Sequence, residues 1–195
     1  MRAIMQKSTH TSIKKTSLRS KQIQTPLGSM LAIADNQSLY LLAFEDRENL
    51  ATDISLLEKK LGAIATAGIT KPLLLLEKEI SKYFAGTLSN FNTPLAAHGT
   101  SFQKQVWQEL QKIPYGSTAS YSDIAKALGK PAAYRAVARA NGANQLALII
   151  PCHRVISADG SLRGYNGGES RKECLLAHEK QKVSLLNLAH LNAEL

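Results

Sequence analysis

Ile149-Ile150-Pro151-Cys152-His153-Arg154-Val155-Ile156 is the stretch from which the rest of the chain is read. An apolar run, Leu146 to Ile150, stops at a proline and delivers a cysteine and a histidine side by side. Branched apolar residues in a short run favour the pleated interior, so the pattern predicts a buried strand over 146–150. Pro151 has no N–H for a ladder, so the strand ends there and the chain turns. The thiol then stands just beyond a rigid element, where a site can be held. A thiol attacks as thiolate, and a neighbouring imidazole is one way to favour that form. The plain alternative is a small buried cysteine beside a surface histidine.

Upstream, the pattern is helical. Thr100 and Gln103 fit a capping box, and Phe102, Val106, Leu110 and Ile113 share one helical face. Trp107 is expected to pack between the two halves of the chain. Pro114-Tyr115-Gly116 reads as a turn. Ser120 and Asp123 make a second capping box for a short helix through Leu128, closed by Gly129. Pro131 pre-sets the next helix, giving a helix-turn-helix pattern. Ala133, Val137 and Ala140 are its inward stripe, and Ala132, Arg135, Ala136 and Arg139 share another face. Two guanidiniums among methyl groups suit a close approach to a polynucleotide, in the major groove or in the narrower minor groove. A solvated basic face is the plain alternative. Asn141-Gly142 ends the helix, and Asn144 reads as a turn residue capping local backbone.

Downstream, Asp159-Gly160 is a hairpin signal and Gly164-Tyr165-Asn166-Gly167-Gly168 a loop able to approach a planar ligand. A helix is expected from Arg171 to Glu179 with Leu175 and Leu176 inward, Cys174 packing beside them, and then a short amphipathic lid over Lys182–Leu191.

The earlier residues carry no such constellation. Met30–Ala34 and Leu39–Phe44 read as strands around the polar turn 35–38, with one more strand expected at Phe91–Leu95. Helices are expected over 47–61, through Leu50, Ile54, Leu57 and Leu61, and from Pro72 to Phe84, ended by Gly86. His98 has no partner cluster and reads as structural or solvated. Residues 1–22 lack apolar periodicity and read as a disordered basic arm, with a transit peptide or a loose phosphate contact as alternatives. No apolar region follows the basic residues as in a secretory signal.

At 195 residues the chain can bury a real core, and 44% hydrophobic with 20% charged residues is ordinary for a globular protein. Two cysteines give no disulfide framework, so a reducing, cytoplasmic home (a bacterial cytoplasm or nucleoid) is expected. The formal charge of +9 argues for anionic partners, although Arg2, Lys7, Lys14, Lys15, Arg19 and Lys21 concentrate much of it near the N-terminus.

Pro-Cys-His-Arg-Val at 151 resembles the active-site signature of the O6-alkylguanine-DNA alkyltransferases. The match extends in order through Tyr-Ser at 121, Arg-Ala-Val at 135, Asn144, and the Gly-Tyr loop with Leu-Leu-Ala-His-Glu ending at Glu179. It covers roughly Thr25 to Glu179 and is densest from Phe102 onward. The resemblance implies an α+β fold: the arm 1–22, a small ribonuclease-H-like α/β scaffold domain over 23–97, and a mostly helical domain with the helix-turn-helix over 98–195. It further implies that Cys152 accepts an alkyl group irreversibly from O6-alkylguanine, and from O4-alkylthymine, flipped out of duplex DNA. His153 would be the base, acting through a water, and Glu179 would orient it, with Asn144 and Tyr121 completing the catalytic set. Tyr121 would donate to the leaving guanine. Arg135 would fill the vacated stack, with Ala132, Ala136, Arg139, Lys126 and Lys130 on the DNA through its minor groove. Tyr121, Pro151, Val155, Tyr165, Asn166 and Gly167 would form the alkylguanine pocket, Asn166 standing where many relatives carry a smaller residue. One turnover, no cofactor, no metal, a monomer and no obligate protein partner are expected. No cysteine precedes Cys152 to hold the zinc some relatives bind, and the sensor domain of others is expected to be absent. Two competing readings are a lesion sensor with an idle cysteine and a thiol hydrolase.

Overall fold

The structure, a computed structural model, describes residues 17–193. Its first half is a four-stranded sheet in the order β3-β2-β1-β4. β1 (Arg19–Ile23), β2 (Met30–Ala34) and β3 (Leu39–Phe44) run antiparallel, and the short β4 (Thr66–Ala67) joins β1 in parallel. Side chains alternate across a pleated strand, and here both faces are covered, so β2 and β3 are apolar almost throughout. Ile33, Leu41 and Ala43 face α1 (Leu50–Leu61), packing on Leu50 and Leu57. Met30, Ala32, Leu42 and Phe44 face the other way, onto α2 (Lys71–Ala85) and the second half. Leu73 and Leu76 of α2 are wholly buried there, each contributing about 2 kcal/mol of hydrophobic burial. Thr70 caps α2, Pro72 sits in its first turn, and Gly86 ends it at φ +73°.

The second half is helical. α3 (Ser101–Leu110) and α4 (Tyr121–Ala127) both open on full capping boxes, Thr100 with Gln103 and Ser120 with Asp123. A 3-10 turn, Pro131–Ala133, leads into α5 (Tyr134–Gly142). Trp107 donates to the Ala140 carbonyl at 2.8 Å, and this pins α5 to α3. Just before α4, β5 (Ala119–Ser120) pairs in parallel with β6 (Val155–Ile156), which brings the start of α4 beside the cysteine turn. α6 (Glu169–Ala193) closes the fold. One apolar core runs from Ile23 to Leu175 through both halves. Among the described residues no helix is long and apolar enough to cross a membrane.

Several expectations are corrected. The run 146–150 is not a strand. It is a series of tight turns, tied to β3 only where Leu42 donates to Gln145 and Ala147 donates to Leu42. Phe91–Leu95 is a loop because the buried Glu79 carboxylate takes the N–H groups of Asn92 and Thr93. Only Leu95 bridges to Leu39. Asp159-Gly160 makes a turn, but β6 pairs with β5 and no hairpin forms. Residues 171–179 and 182–191 belong to one continuous helix, since no breaker interrupts 180–181. The expected amphipathic lid rests on side chains from 184 onward, outside those described. Cys174 is exposed. The arm boundary at 22 falls inside β1, where Arg19 bonds Thr66 and Lys21 pairs with Glu77; residues 1–16 lie outside the described residues. His98 stacks on Tyr40, with ring centroids 5.4 Å apart.

Candidate active site

The cysteine is delivered by turns, each fixed by a nearby side chain. Asn144 accepts from the Leu146 N–H at 3.0 Å, while its amide donates to the Ile150 carbonyl at 2.9 Å and to Cys152 Sγ at 3.1 Å. One side chain therefore caps the loop, as expected, and also holds the sulfur. Leu148 sits at φ +67°, a left-handed conformation costing about 1 kcal/mol or more for a leucine. Its full burial keeps it there. Pro151, at φ −80° and ψ 61°, is the centre of an inverse γ-turn in which Cys152 donates to Ile150 at 2.8 Å. Cys152, His153 and Arg154 then form a single 3-10 turn, buried throughout.

Glu179 is the hub below that turn. It accepts from His153 Nε2 at 2.9 Å, Arg154 Nε and Nη2 at 2.9 and 3.0 Å, the Tyr83 hydroxyl at 2.8 Å and the Gly116 N–H at 3.0 Å. Burial pushes its carboxyl up, but the His153 and Arg154 contacts outweigh burial and hold it at about 2. An ionised carboxylate only accepts, so the His153 proton lies on Nε2 and Nδ1 carries the lone pair. Burial depresses the imidazole, against the pull of Glu179, and keeps it neutral. Nδ1 has no hydrogen-bond partner among the described residues, and Cys152 and His153 make no direct bond. The arrangement is a buried neutral imidazole with a free lone pair, next in sequence to a buried thiol. Burial pushes the Cys152 thiol up, and the Asn144 amide and the charge of Lys172 draw it down.

Beside the sulfur is a small cleft of about 10 Å³, lined by Ala43, Phe44, Arg47, Asn144, Ala147, Cys152, Tyr165, Asn166 and Gly167. That is room for roughly one water. Of the expected pocket residues, Tyr165, Asn166 and Gly167 line it. Pro151 lines a separate cleft with Arg154, and Val155 is wholly buried in the core. Tyr121 stands at the loop's entry, its hydroxyl donating to the Arg163 carbonyl at 3.2 Å. Asn166 donates to the Gly142 carbonyl at 3.1 Å, so the loop is latched to the end of α5. Sequence reasoning missed Phe44 and Arg47 from the first half, Tyr83 on α2, and the structural work of Arg154. Arg154 also donates to the Ile113 carbonyl at 2.8 Å. Its place inside the quoted motif was the available signal. The first-half residues had none.

The helix to which the cleft loop is latched carries a basic surface. Ala132, Arg135 and Arg139 are exposed and Ala136 is half-buried, while Val137 and Ala140 face inward. Arg135 lies over the exposed Tyr134 ring at 5.4 Å, and Lys130 over Phe102 at 5.4 Å. Lys126 is 3.9 Å from Asp123.

Known proteins share both the sequence and the arrangement. Residues 101–181 match the family model described as 6-O-methylguanine DNA methyltransferase, DNA binding domain. A methylated-DNA–protein-cysteine methyltransferase of Shigella flexneri is 43% identical over 166 residues, covering 83% of this chain and 95% of that one. The crystal structure of Mycobacterium tuberculosis OGT in complex with DNA superposes with a TM-score of 0.71 at 37% identity, covering 85% of this chain and 94% of that one. The O6-methylguanine-DNA methyltransferase of Pyrococcus kodakaraensis gives 0.62 at 27% identity, over 83% and 98%. Similarity of this extent spans the sheet as well as the cysteine turn, and with it the chain belongs to the methylated-DNA–protein-cysteine methyltransferase family.

Proposed function

We propose that this protein repairs DNA by moving the alkyl group of O6-alkylguanine, and of O4-alkylthymine, onto Cys152 in a single, irreversible turnover. The observation that carries the reading is neutral His153 bonded to ionised Glu179 in the same buried turn that presents Cys152 to a cleft, whose loop is bonded to the end of α5. The thiol proton passes through a water to His153 Nδ1. The sulfur then attacks the alkyl carbon in line, an S–C bond forms, and the C–O6 bond breaks with its electron pair leaving on guanine. The Tyr121 hydroxyl, at the loop entry, donates to the departing base. The product is a neutral thioether, so the sulfur is consumed and does not return to thiol.

A base inside a duplex does not reach a buried sulfur, so the lesion rotates out of the stack. Arg135 enters the gap, while Ala132 and Ala136 let the backbone come close and Arg139, Lys126 and Lys130 meet phosphates. α4, the turn and α5 act as the helix-turn-helix, seated in the minor groove. The 10 Å³ cleft is far smaller than a purine, so the loop 164–168 swings aside as the base enters. Positive φ at Gly164 and Gly168 gives it hinges. Residues up to about 97 form a scaffold domain, whose antiparallel strands extended by the parallel β4 support the ribonuclease-H-like reading. Residues 98–195 form the acceptor domain. The acceptor must remain a free thiol, which fits a reducing compartment.

The test is intact-protein mass after incubation with duplex carrying O6-methylguanine. One methyl per molecule on the Cys152 peptide, with loss of the lesion, is the expected result. An unmodified protein with the lesion intact identifies a sensor, and repeated turnover without a mass change identifies a hydrolase; either overturns the proposal.

A further inference from the structure

Six large apolar or aromatic side chains are exposed among the described residues, and five of them stand in the first half. The sixth is Tyr134, 42% exposed, the first residue of α5 and the one directly before Arg135. Its ring belongs to neither apolar cluster, and the surface of the helix around it is alanine, glycine and arginine. An alanine at that position would favour the helix more than a tyrosine does. What the ring touches is the guanidinium: Arg135 lies over it, 5.4 Å from the centroid. No carboxylate pairs with Arg135 among the described residues, so the ring is the contact that gives this cation a place.

The placement has a direction. Tyr134, Ala138 and Gly142 recur at i, i+4 and i+8, one row along a flank of α5. The row runs about 12 Å along the helix. It ends at Gly142, whose carbonyl accepts from Asn166 of the cleft loop. Ala132, Ala136 and Arg139 lie on the neighbouring face, and Arg135 stands between the two with its guanidinium turned to the Tyr134 side. The cation is therefore held on the flank that leads to the loop.

We infer that Tyr134 is a positioning residue for extrusion of the damaged base: its ring carries the Arg135 guanidinium into the gap and backs it there. The inference rests on the reading above in which Arg135 fills the vacated stack. A contact shifts that equilibrium by the amount it is stronger in the extruded state than in the free protein. In the free protein the pair is open to water, where a cation over a ring contributes little. Between base pairs water is excluded, and the same contact strengthens. A guanidinium already ordered against a ring also loses less side-chain entropy when it enters.

The test compares the parent with Tyr134→Ala, Tyr134→Leu, Tyr134→Phe, Arg135→Ala and the Tyr134→Ala, Arg135→Ala double variant. Single-turnover methyl transfer is measured from duplex and from free O6-methylguanine. The same substitutions in a Cys152→Ala background are titrated onto duplex with 2-aminopurine beside the lesion, whose fluorescence reports unstacking without any transfer. Tyr134→Ala slows duplex repair about fivefold, the difference between a desolvated and an exposed cation–π contact. It leaves the free-base rate unchanged and lowers the 2-aminopurine signal. Tyr134→Leu, with bulk but no π face, falls with it, while Tyr134→Phe stays near the parent. With Arg135 already removed, Tyr134→Ala costs little more. The Tyr134 variants melt within about 2 °C of the parent, as exposed substitutions do. Tyr134→Ala at the parent's rate, a Leu variant that matches the parent, a Phe variant as slow as Ala, losses that multiply in the double variant, or an equal loss on free base overturns the inference and leaves Arg135 its role. Arg135→Ala with no loss on duplex removes the stack-filling reading and this inference with it. A parent that gains no methyl defeats alkyl transfer alone, since the 2-aminopurine titration still reports on Tyr134.

Discussion

Replacing Glu179 by Gln is the sharpest perturbation of this molecule. The carboxylate accepts from Tyr83, Gly116, His153 and twice from Arg154. A glutamine keeps one acceptor oxygen and turns an NH2 group toward donors it cannot satisfy. Arg154 remains buried without its counter-charge. Breaking a buried pair in this way costs about 3–5 kcal/mol. For a chain of this size that lowers Tm by about 6–20 °C. His153 also loses the partner that fixes its tautomer, so transfer slows by about 10²- to 10⁴-fold, the range for losing a positioned base.

The pH dependence gives an independent check. Glu179 is depressed from 4.5 to about 2. A depressed carboxyl contributes stability that is present above its unfolded value and is lost as pH falls through the folded one. The contribution is about 3 kcal/mol, lost progressively from about pH 4.5 to about pH 2. Denaturant melts of parent and Glu179→Gln across this window should therefore converge toward low pH. If the two stability curves run parallel from pH 6 to pH 2, or if the variant melts within 2 °C of the parent, the hub reasoning is wrong.

Cys152→Ala should gain no methyl by mass yet bind lesion-bearing duplex with affinity within about threefold of the parent, read by fluorescence anisotropy; a methylated Ala variant would move the acceptor elsewhere. Arg135→Ala should slow repair of duplex more than reaction with free O6-methylguanine, and equal losses on both would remove its role in the stack. Lys130→Ala and Arg139→Ala should each flatten the salt dependence of duplex binding by about 0.9 in log–log slope for each phosphate the variant leaves unneutralised. Gly167→Ala places a Cβ 2.5 Å from the Tyr165 ring and 3.1 Å from Phe44; overpacking of this kind costs about 1–3 kcal/mol, and transfer should fall with stability, whereas an unchanged melt would show that the loop gives way.

Elements with local punctuation could be read from the chain. Pro72 and Gly86 bound α2, and the two capping boxes start α3 and α4, because those signals act within a few residues. The failures fall where the partner is remote. An apolar run such as 146–150 looks alike whether it pairs in a sheet or folds into buried turns, and here Asn144 supplies the bonds a ladder would have given. Residues 91–95 lost their strand to Glu79, whose role depends on α2 packing across them. The expected break in the last helix had no glycine or proline behind it, and the helix runs on.

The same distinction explains which site residues were legible. Cys152, His153 and Glu179 were found through a motif, and the structure joins the last two directly. Tyr83 reaches Glu179 across a separation of 96 residues, and Phe44 and Arg47 line the cleft from the end of β3 and the loop after it. From sequence alone that half is a scaffold without chemistry, since none of these residues is reactive in isolation. Their function is geometric and electrostatic. Tyr83 saturates a carboxylate oxygen and so helps keep Glu179 an acceptor toward His153, which in turn fixes the proton on Nε2 and the lone pair on Nδ1. Arg171 on α6 bonds the Leu27 carbonyl, the Gly167 carbonyl and Asp46, tying the pocket loop to the sheet. The sheet is thus the wall against which the thiol, the imidazole and the loop beside them are held in register, and the proposed chemistry draws on residues from both halves of the chain.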